Sequence, residues 1–327
     1  MERVLKYVKE YFVFVVVIAM IAVMGAMKPD VFLTPYNFFT ILRQVSISGI
    51  MVTGLLFVML AGGIDLSIGA IIAVSSVFTA KLIVDFNMPV VLAGALVMVL
   101  CTLIGFAIGF IIVKTKIFPM IGTLALMGIL SGLAFIVCRG LPIIGLPKSV
   151  LPLGQGFIPG TPIPIPVVIL FVVLIAASFI LNKTYIGRYF YLVGGNPEAA
   201  RLSGINTELV QIVSYGISGA LCSFGGIIMM SRINSGAPTV GPGMEMDVLT
   251  AAVIGGVSLM GGEGKVSKAF GGVLIIGILT NGLTILNVDP YLQKIIIGFV
   301  FLVAVCFDGL QKNIFIKGDR KRISAKE

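Results

Sequence analysis

Apolar stretches long enough to cross a bilayer follow one another along this chain from Tyr11 to residue 308, separated by short polar or glycine-rich connections. A hydrocarbon core about 30 Å thick needs about 20 helical residues per crossing. On that measure spans are expected near residues 11–28, 44–61, 66–84, 89–112, 119–138, 164–182, 208–230, 246–260, 268–287 and 291–308. The pattern predicts an all-α integral membrane protein, a polytopic bundle of about ten transmembrane helices forming a single membrane-spanning domain over residues 1–327. The run from Tyr11 to Met27 is too long for a cleaved signal core and lacks a small-residue cleavage site, so it is expected to be an uncleaved first span.

Composition points the same way. Hydrophobic residues make up 58% of the chain and charged residues 11%, against roughly 45–50% and about 25% in soluble domains. The net charge of +9 would suit nucleic acid if it were clustered, but its distribution follows the spans. With an even number of crossings, 16 of the 23 basic residues fall on one side: the amino-terminal segment 1–10, the connections around Lys114, Arg188 and Lys265, and the tail 309–327. The positive-inside rule makes that side, with both termini, cytoplasmic, in a cell (inner) membrane. The basic excess therefore reports topology and contact with membrane lipid, and gives no reason to expect nucleic acid.

Cys101, Cys138, Cys222 and Cys306 are far apart in apolar stretches, and the chain has no histidine. This argues against a zinc site or a redox pair, so all four cysteines are expected to be buried thiols. Small residues within spans, such as Gly105-x-x-x-Gly109 and Gly128-x-x-x-Gly132, are expected to let helices pack closely. Paired glycines at 62–63, 225–226, 255–256, 261–262 and 271–272 would permit broken or tilted helices. Gly62-Gly63-Ile64-Asp65 and Met244-Glu245-Met246-Asp247 each lead into an apolar segment, a short echo of the kind an inverted repeat would leave.

The connection 183–207 carries a helix of its own. Asn196 suits the cap, Pro197 the first helical position, Glu198 the positive end of the dipole and Gly204 a left-handed stop. Arg201 follows Glu198 on nearly the same face. Such a short, well-capped helix between two spans either joins them at the interface or presents a knob to a cytoplasmic partner.

The pattern Gly194-Gly195-Asn196-Pro197-Glu198-Ala199-Ala200-Arg201-Leu202-Ser203-Gly204-Ile205 resembles the cytoplasmic coupling loop of permeases in the ribose/xylose/arabinose family of ABC importers. Three further stretches resemble that family: 60–69 (LAGGIDLSIG), 250–262 (TAAVIGGVSLMGG) and 271–283 (GGVLIIGILTNGL). The resemblance extends from about residue 30 to about 310. It implies a permease homodimer, a partner ABC ATPase holding ATP and Mg²⁺ on the cytoplasmic face, and an extracytoplasmic sugar-binding protein. It makes the helix 194–204 the contact with the ATPase. No cofactor is expected on this chain. Its nearest approach to a phosphate-binding loop, 259–266, has Leu259 in place of the first glycine and Val266 in place of the Mg²⁺-binding hydroxyl.

A sugar path needs polar groups that touch hydroxyls without holding them tightly. Asp65, Ser67, Ser75, Thr250, Ser258, Thr280 and Asn281 are the candidates within or beside spans. Arg139, Lys148 and Arg232 fall on the outer side and are candidates for docking the binding protein. A secondary transporter would share the spans and the charge bias but would not need the capped knob. A membrane enzyme has little support without histidine, metal-ligand clusters or a nucleophile–base pair. Related permeases carry nucleosides, signalling sugars and branched-chain amino acids, but the loop motifs lean towards a monosaccharide, a ribose-like pentose or a hexose, with nothing to distinguish ribose from xylose, galactose or allose.

Overall fold

A computed structural model describes residues 2–306, with residues 2–10 as helical backbone; the basic tail 309–327 lies outside the described residues. The described chain is helical throughout: α1 (Glu2–Met27), α2 (Pro29–Phe32), α3 (Pro35–Leu60), α4 (Ile68–Val84), α5 (Val90–Thr115), α6 (Pro119–Val137), α7 (Leu151–Gln155), α8 (Ile165–Lys183), α9 (Tyr185–Gly195), α10 (Pro197–Leu202), α11 (Thr207–Ile233), α12 (Met244–Ile254) and α13 (Val266–Ile285), followed by α14 (Pro290–Cys306). Six of these, α3, α5, α6, α8, α11 and α13, are long and apolar enough to cross a membrane, and shorter apolar helices cover Tyr11–Met27, Ile68–Val84 and Pro290–Cys306.

The order of helices from inside to outside follows from what surrounds each one. Of the six long helices α5, α8 and α6 are the most apolar, and only 33%, 33% and 22% of their most apolar windows are buried; the corresponding figures for the less apolar α3, α11 and α13 are 78%, 61% and 56%. A helix facing lipid tails needs an unbroken apolar surface, whereas a helix facing other helices gains from small and hydroxylated residues. α11 accordingly lies at the centre, packed against α3, α4 and α5.

Close approach between α11 and α5 depends on glycine on both sides. A Cβ on Gly105 would overlap the Tyr215 carbonyl oxygen, one on Gly109 would lie 3.1 Å from the Ile212 Cα, and Gly219 sits on the Cys101 carbonyl. Gly128 and Gly132 make no such contact within the described residues. Both lie on the outward face of α6, and a Cβ at either meets nothing within 4 Å. Cys306 departs from expectation: it is exposed, while Cys101, Cys138 and Cys222 are buried.

The expected span 246–260 is not a continuous helix. α12 has 11 residues, a length of about 16 Å, or about half the hydrocarbon core. It stops at Gly255-Gly256, where Gly256 takes φ +75°, and residues 255–265 run on as irregular chain. α4 also begins inside the bundle, because the preceding Asp65 bonds to Ser218, 11 residues into α11 and so about 16 Å along it. The starts of α4 and α12 lie side by side: a Cβ on Gly69 would overlap the Glu245 carboxylate and lie 2.7 Å from the Gly241 carbonyl.

Buried acids cap both starts. Asp65 accepts from the Ser67 amide (3.0 Å), the Ser67 hydroxyl (2.6 Å) and the Ser218 hydroxyl (2.7 Å). Glu245 accepts from the Gly243 amide, with both carboxylate oxygens at 3.0 Å. A carboxylate in a dry interior is tolerated when donors and a helix N-terminus face it.

The end of the bundle away from α10 is closed by the segment between α6 and α8. The Gly154 amide donates to Ser231 Oγ (2.7 Å), Arg43 donates to the Gly154 carbonyl (3.0 Å from Nη2), and Ile143 bridges Gly236. Because the α5–α11 contact is backbone against backbone, Gly105→Val should destabilise the detergent-solubilised protein by about 1–3 kcal/mol or more, seen as a lower Tm, whereas Gly132→Val should leave Tm close to that of the parent.

Candidate functional site

Residues 183–207 fold into two short helices at right places for their caps. Thr184 accepts from the Gly187 amide (3.0 Å) and opens α9; Asn196 accepts from the Ala199 amide (3.0 Å) and opens α10, with Pro197 in the first turn. Gly204 takes φ +82°, and the Ile205 amide reaches back to the Ala200 carbonyl (3.1 Å), which ends α10. The capped helix expected over Asn196 to Gly204 is thus present. Glu198 and Arg201 form an exposed ion pair at 2.8 Å, and Leu202 is 80% exposed; of the six residues of α10 only Ala200 is buried.

The base of α10 is made of backbone. α9 turns Gly187, Phe190 and Val193 inward, and the Phe190 ring meets Phe57 of α3 edge to face at 5.3 Å. At the end of α9, three glycine pairs come together. A Cβ on Gly194 would overlap the Leu60 carbonyl oxygen, one on Gly261 would lie 2.8 Å from the Gly62 Cα, and one on Gly262 would lie 2.6 Å from the Gly195 Cα. The Gly262 amide donates to the Leu60 carbonyl at 3.1 Å, and the Tyr191 hydroxyl donates to the Gly264 carbonyl at 3.1 Å. Gly261 and Gly262 also hold φ +93° and +73°, which side-chain-bearing residues rarely adopt. Three separately read motifs, 60–69, 194–205 and 250–262, therefore meet at one junction.

The turn between α3 and α4 extends this junction into the bundle. Gln211 and Tyr215 of α11 donate to the carbonyls of Ala61 and Ile64 (both 3.4 Å), and Thr123 of α6 accepts from the Leu66 amide (3.1 Å). Asp65 and Ser67 thus sit deep in the bundle, with their hydrogen bonds made within the chain.

The other sequence-predicted residues are dispersed. Ser75 donates to the Ile72 carbonyl (3.1 Å) beside Gly226, and Thr250 to the Met246 carbonyl (2.6 Å). Ser258 shapes the 255–265 turn by accepting from the Met260 amide (3.1 Å). Asn281 pairs reciprocally with Asn37 (3.2 and 3.0 Å). Thr280 alone of the seven path candidates lines the cavity of about 400 Å³ between α3, α11, α12 and α13. Arg139 and Lys148 are exposed at the end away from α10, whereas Arg232 is half-buried on the wall of that same cavity. Of the junction partners, Leu60 was read only as the first residue of the 60–69 motif, and Tyr191 and Gly264 were given no role; the glycine pairs were the available signal, but it did not say what they would touch.

The family model described as the permease component of a branched-chain amino acid transport system matches residues 37–305. The chain belongs to this permease family. The permease is 38% identical over 299 residues to the ribose import permease protein RbsC of Haemophilus influenzae, covering 90% of this chain and 91% of that one. It is 40% identical over 292 residues to RbsC of Bacillus subtilis (88% and 89% covered) and 37% identical over 264 residues to the L-arabinose transport system permease protein AraH of Escherichia coli (81% and 80%). No solved structure matches it. Family membership makes the permease a multi-pass membrane transport component rather than an enzyme.

The junction gives a paired expectation. Gly194→Ala puts a methyl into the Leu60 carbonyl, with no flexible side chain to move away, whereas Gly195→Ala meets nothing within 4 Å. The first should destabilise by about 1–3 kcal/mol and lower uptake, and the second should do neither, as checked by Tm and by uptake in proteoliposomes.

Proposed function

We propose that the permease is the translocating subunit of an ATP-driven ABC importer of a monosaccharide, a ribose-like pentose or a hexose. The observation that carries the proposal is α10: a capped, exposed helix bearing Glu198, Arg201 and Leu202, seated by the glycine junction on the end of α3 and the 255–265 turn. The sugar assignment draws on the ribose and arabinose permeases, similar over most of both chains; the wider family description names branched-chain amino acids.

In this reading both termini and the 183–207 loop are cytoplasmic, and the chain makes ten crossings if α12 with its irregular neighbours 234–243 and 255–265 counts as one. The interior starts of α4 and α12, each capped by an acid, are the related features of an inverted repeat. The helix from Gly194 to Gly204 sits in a cleft of a partner ABC ATPase that holds the ATP and Mg²⁺. Closure of the ATPase favours one arrangement of the permease because α10 makes different contacts in the two states. A second copy of the permease completes the path, and an extracytoplasmic binding protein delivers the sugar, with Arg139 and Lys148 among its contacts.

The test is uptake of radiolabelled sugars by the permease reconstituted with its ATPase and binding protein. Replacing Glu198 and Arg201 together with Ala should cut ATP-driven uptake by roughly tenfold or more, yet leave the permease folded, because exposed pairs of this kind contribute under about 1 kcal/mol. Uptake by the permease alone under a proton or sodium gradient would contradict the proposal.

A further inference from the structure

The polar side chains of α3 divide into two groups. Asn37, Thr40, Arg43, Ser46 and Thr53 are hydrogen-bonded within the chain, to Asn281, Tyr36, Gly154, Leu42 and Gly49 respectively. Among the described residues Gln44 and Ser48 have no hydrogen-bond partner, although both are half-buried. Such residues lower the match to lipid and are retained against that cost where they serve a water-filled space.

Both face the cavity between α3, α11, α12 and α13. Arg232 of α11 and Asp247 of α12 line it too, are half-buried, and among the described residues their side chains form neither a hydrogen bond nor an ion pair. Thr280 of α13 completes the set; its hydroxyl donates to the Ile276 carbonyl and keeps its acceptor capacity. Four helices thus direct amide, hydroxyl, guanidinium and carboxylate groups into one space of about 400 Å³, within the range of small-molecule sites. The cavity lies toward the end of the bundle opposite α10, since Arg232 is in the last turn of α11.

We infer that this cavity is a sugar-contact site within the translocation path, in which Asp247 and Thr280 accept from sugar hydroxyls, Arg232 donates to them, and Gln44 and Ser48 do either. The inference rests on the sugar-importer reading and assigns it a place. A sugar hydroxyl is donor and acceptor at once, so a mixed set of charged and amide groups suits it better than a site of one sign. The lining contains no aromatic ring on which a sugar could stack. A site with polar contacts but no stacking surface holds its ligand weakly, as a waypoint must if the sugar is to leave. Met229 and Met244 on the wall supply adaptable apolar packing.

The experiment uses the assembled transporter in proteoliposomes, with ribose, arabinose and galactose as probes. Gln44→Leu and Asp247→Asn should each lower uptake roughly tenfold, the equivalent of one good polar contact, and should alter the ratio among the three sugars, while ATPase stimulation by the sugar-loaded binding protein is kept. Unchanged uptake and unchanged ratios in both variants would overturn the site. Failure of the parent transporter to move any sugar would instead count against the importer reading. If a variant also loses ATPase stimulation, Ser48→Cys in a Cys306→Ser background decides. This near-isosteric change is assembled first and then modified with a small polar methanethiosulfonate, with the yield read by mass spectrometry. Modification that abolishes uptake supports the site; modification without effect, or a thiol that no state exposes to the reagent, overturns it.

Discussion

At the base of α10 the carbonyl of Leu60 occupies the space where a side chain on Gly194 would be, and the amide of Gly262 closes a hydrogen bond onto the same oxygen. Helix packing through side chains tolerates small sliding movements, because rotamers adjust. Backbone-on-backbone contact does not, and any relative displacement of α9, the end of α3 and the 255–265 turn would break the contact. On the proposed reading of α10 as the ATPase contact, the mechanical path from it to the bundle follows from this constraint. A push on α10 reaches α3 at Leu60 and α13 through the 255–265 turn, and through Ala61 and Ile64 it reaches Tyr215 and Gln211 of α11.

The interior is built to keep that path stiff without burying an unsatisfied charge. Asp65 and Glu245 lie where α4 and α12 begin, and each is met by backbone or hydroxyl donors rather than by a cation. The chain can therefore interrupt its helices inside the bundle, which is tolerated only where the irregular backbone is surrounded by protein. Peripheral helices carry no such burden, so α5, α6 and α8 present apolar side chains outward.

Much of this was legible in the sequence where the physics is local. The caps of α10 are set by residues within four positions of one another, and Asn196, Pro197 and Gly204 each do what their chemistry dictates. The apolar runs gave the long helices for the same reason. What was not legible depends on distant partners. Gly105 and Gly128 begin the same short motif, but only the first faces another helix. The run 246–260 is apolar enough to span, and only the glycine pair 255–256 hinted that it breaks. Asp65 and Ser67 read as path candidates because they are polar within a membrane segment, whereas the structure pairs them with each other and with Ser218. Gln44 and Ser48 drew no notice, because a missing partner becomes visible only once every neighbour is known.

The claim that the glycine junction makes α10 and the 255–265 turn one rigid body is tested most directly by pulsed electron–electron resonance on spin labels at Ala199 and Glu263 in the assembled transporter, with and without ATP and Mg²⁺. The account predicts the same narrow distance distribution in both states, while a second pair, Ala199 with Lys148 at the far end, shifts. A nucleotide-dependent change in the Ala199–Glu263 distance would contradict it.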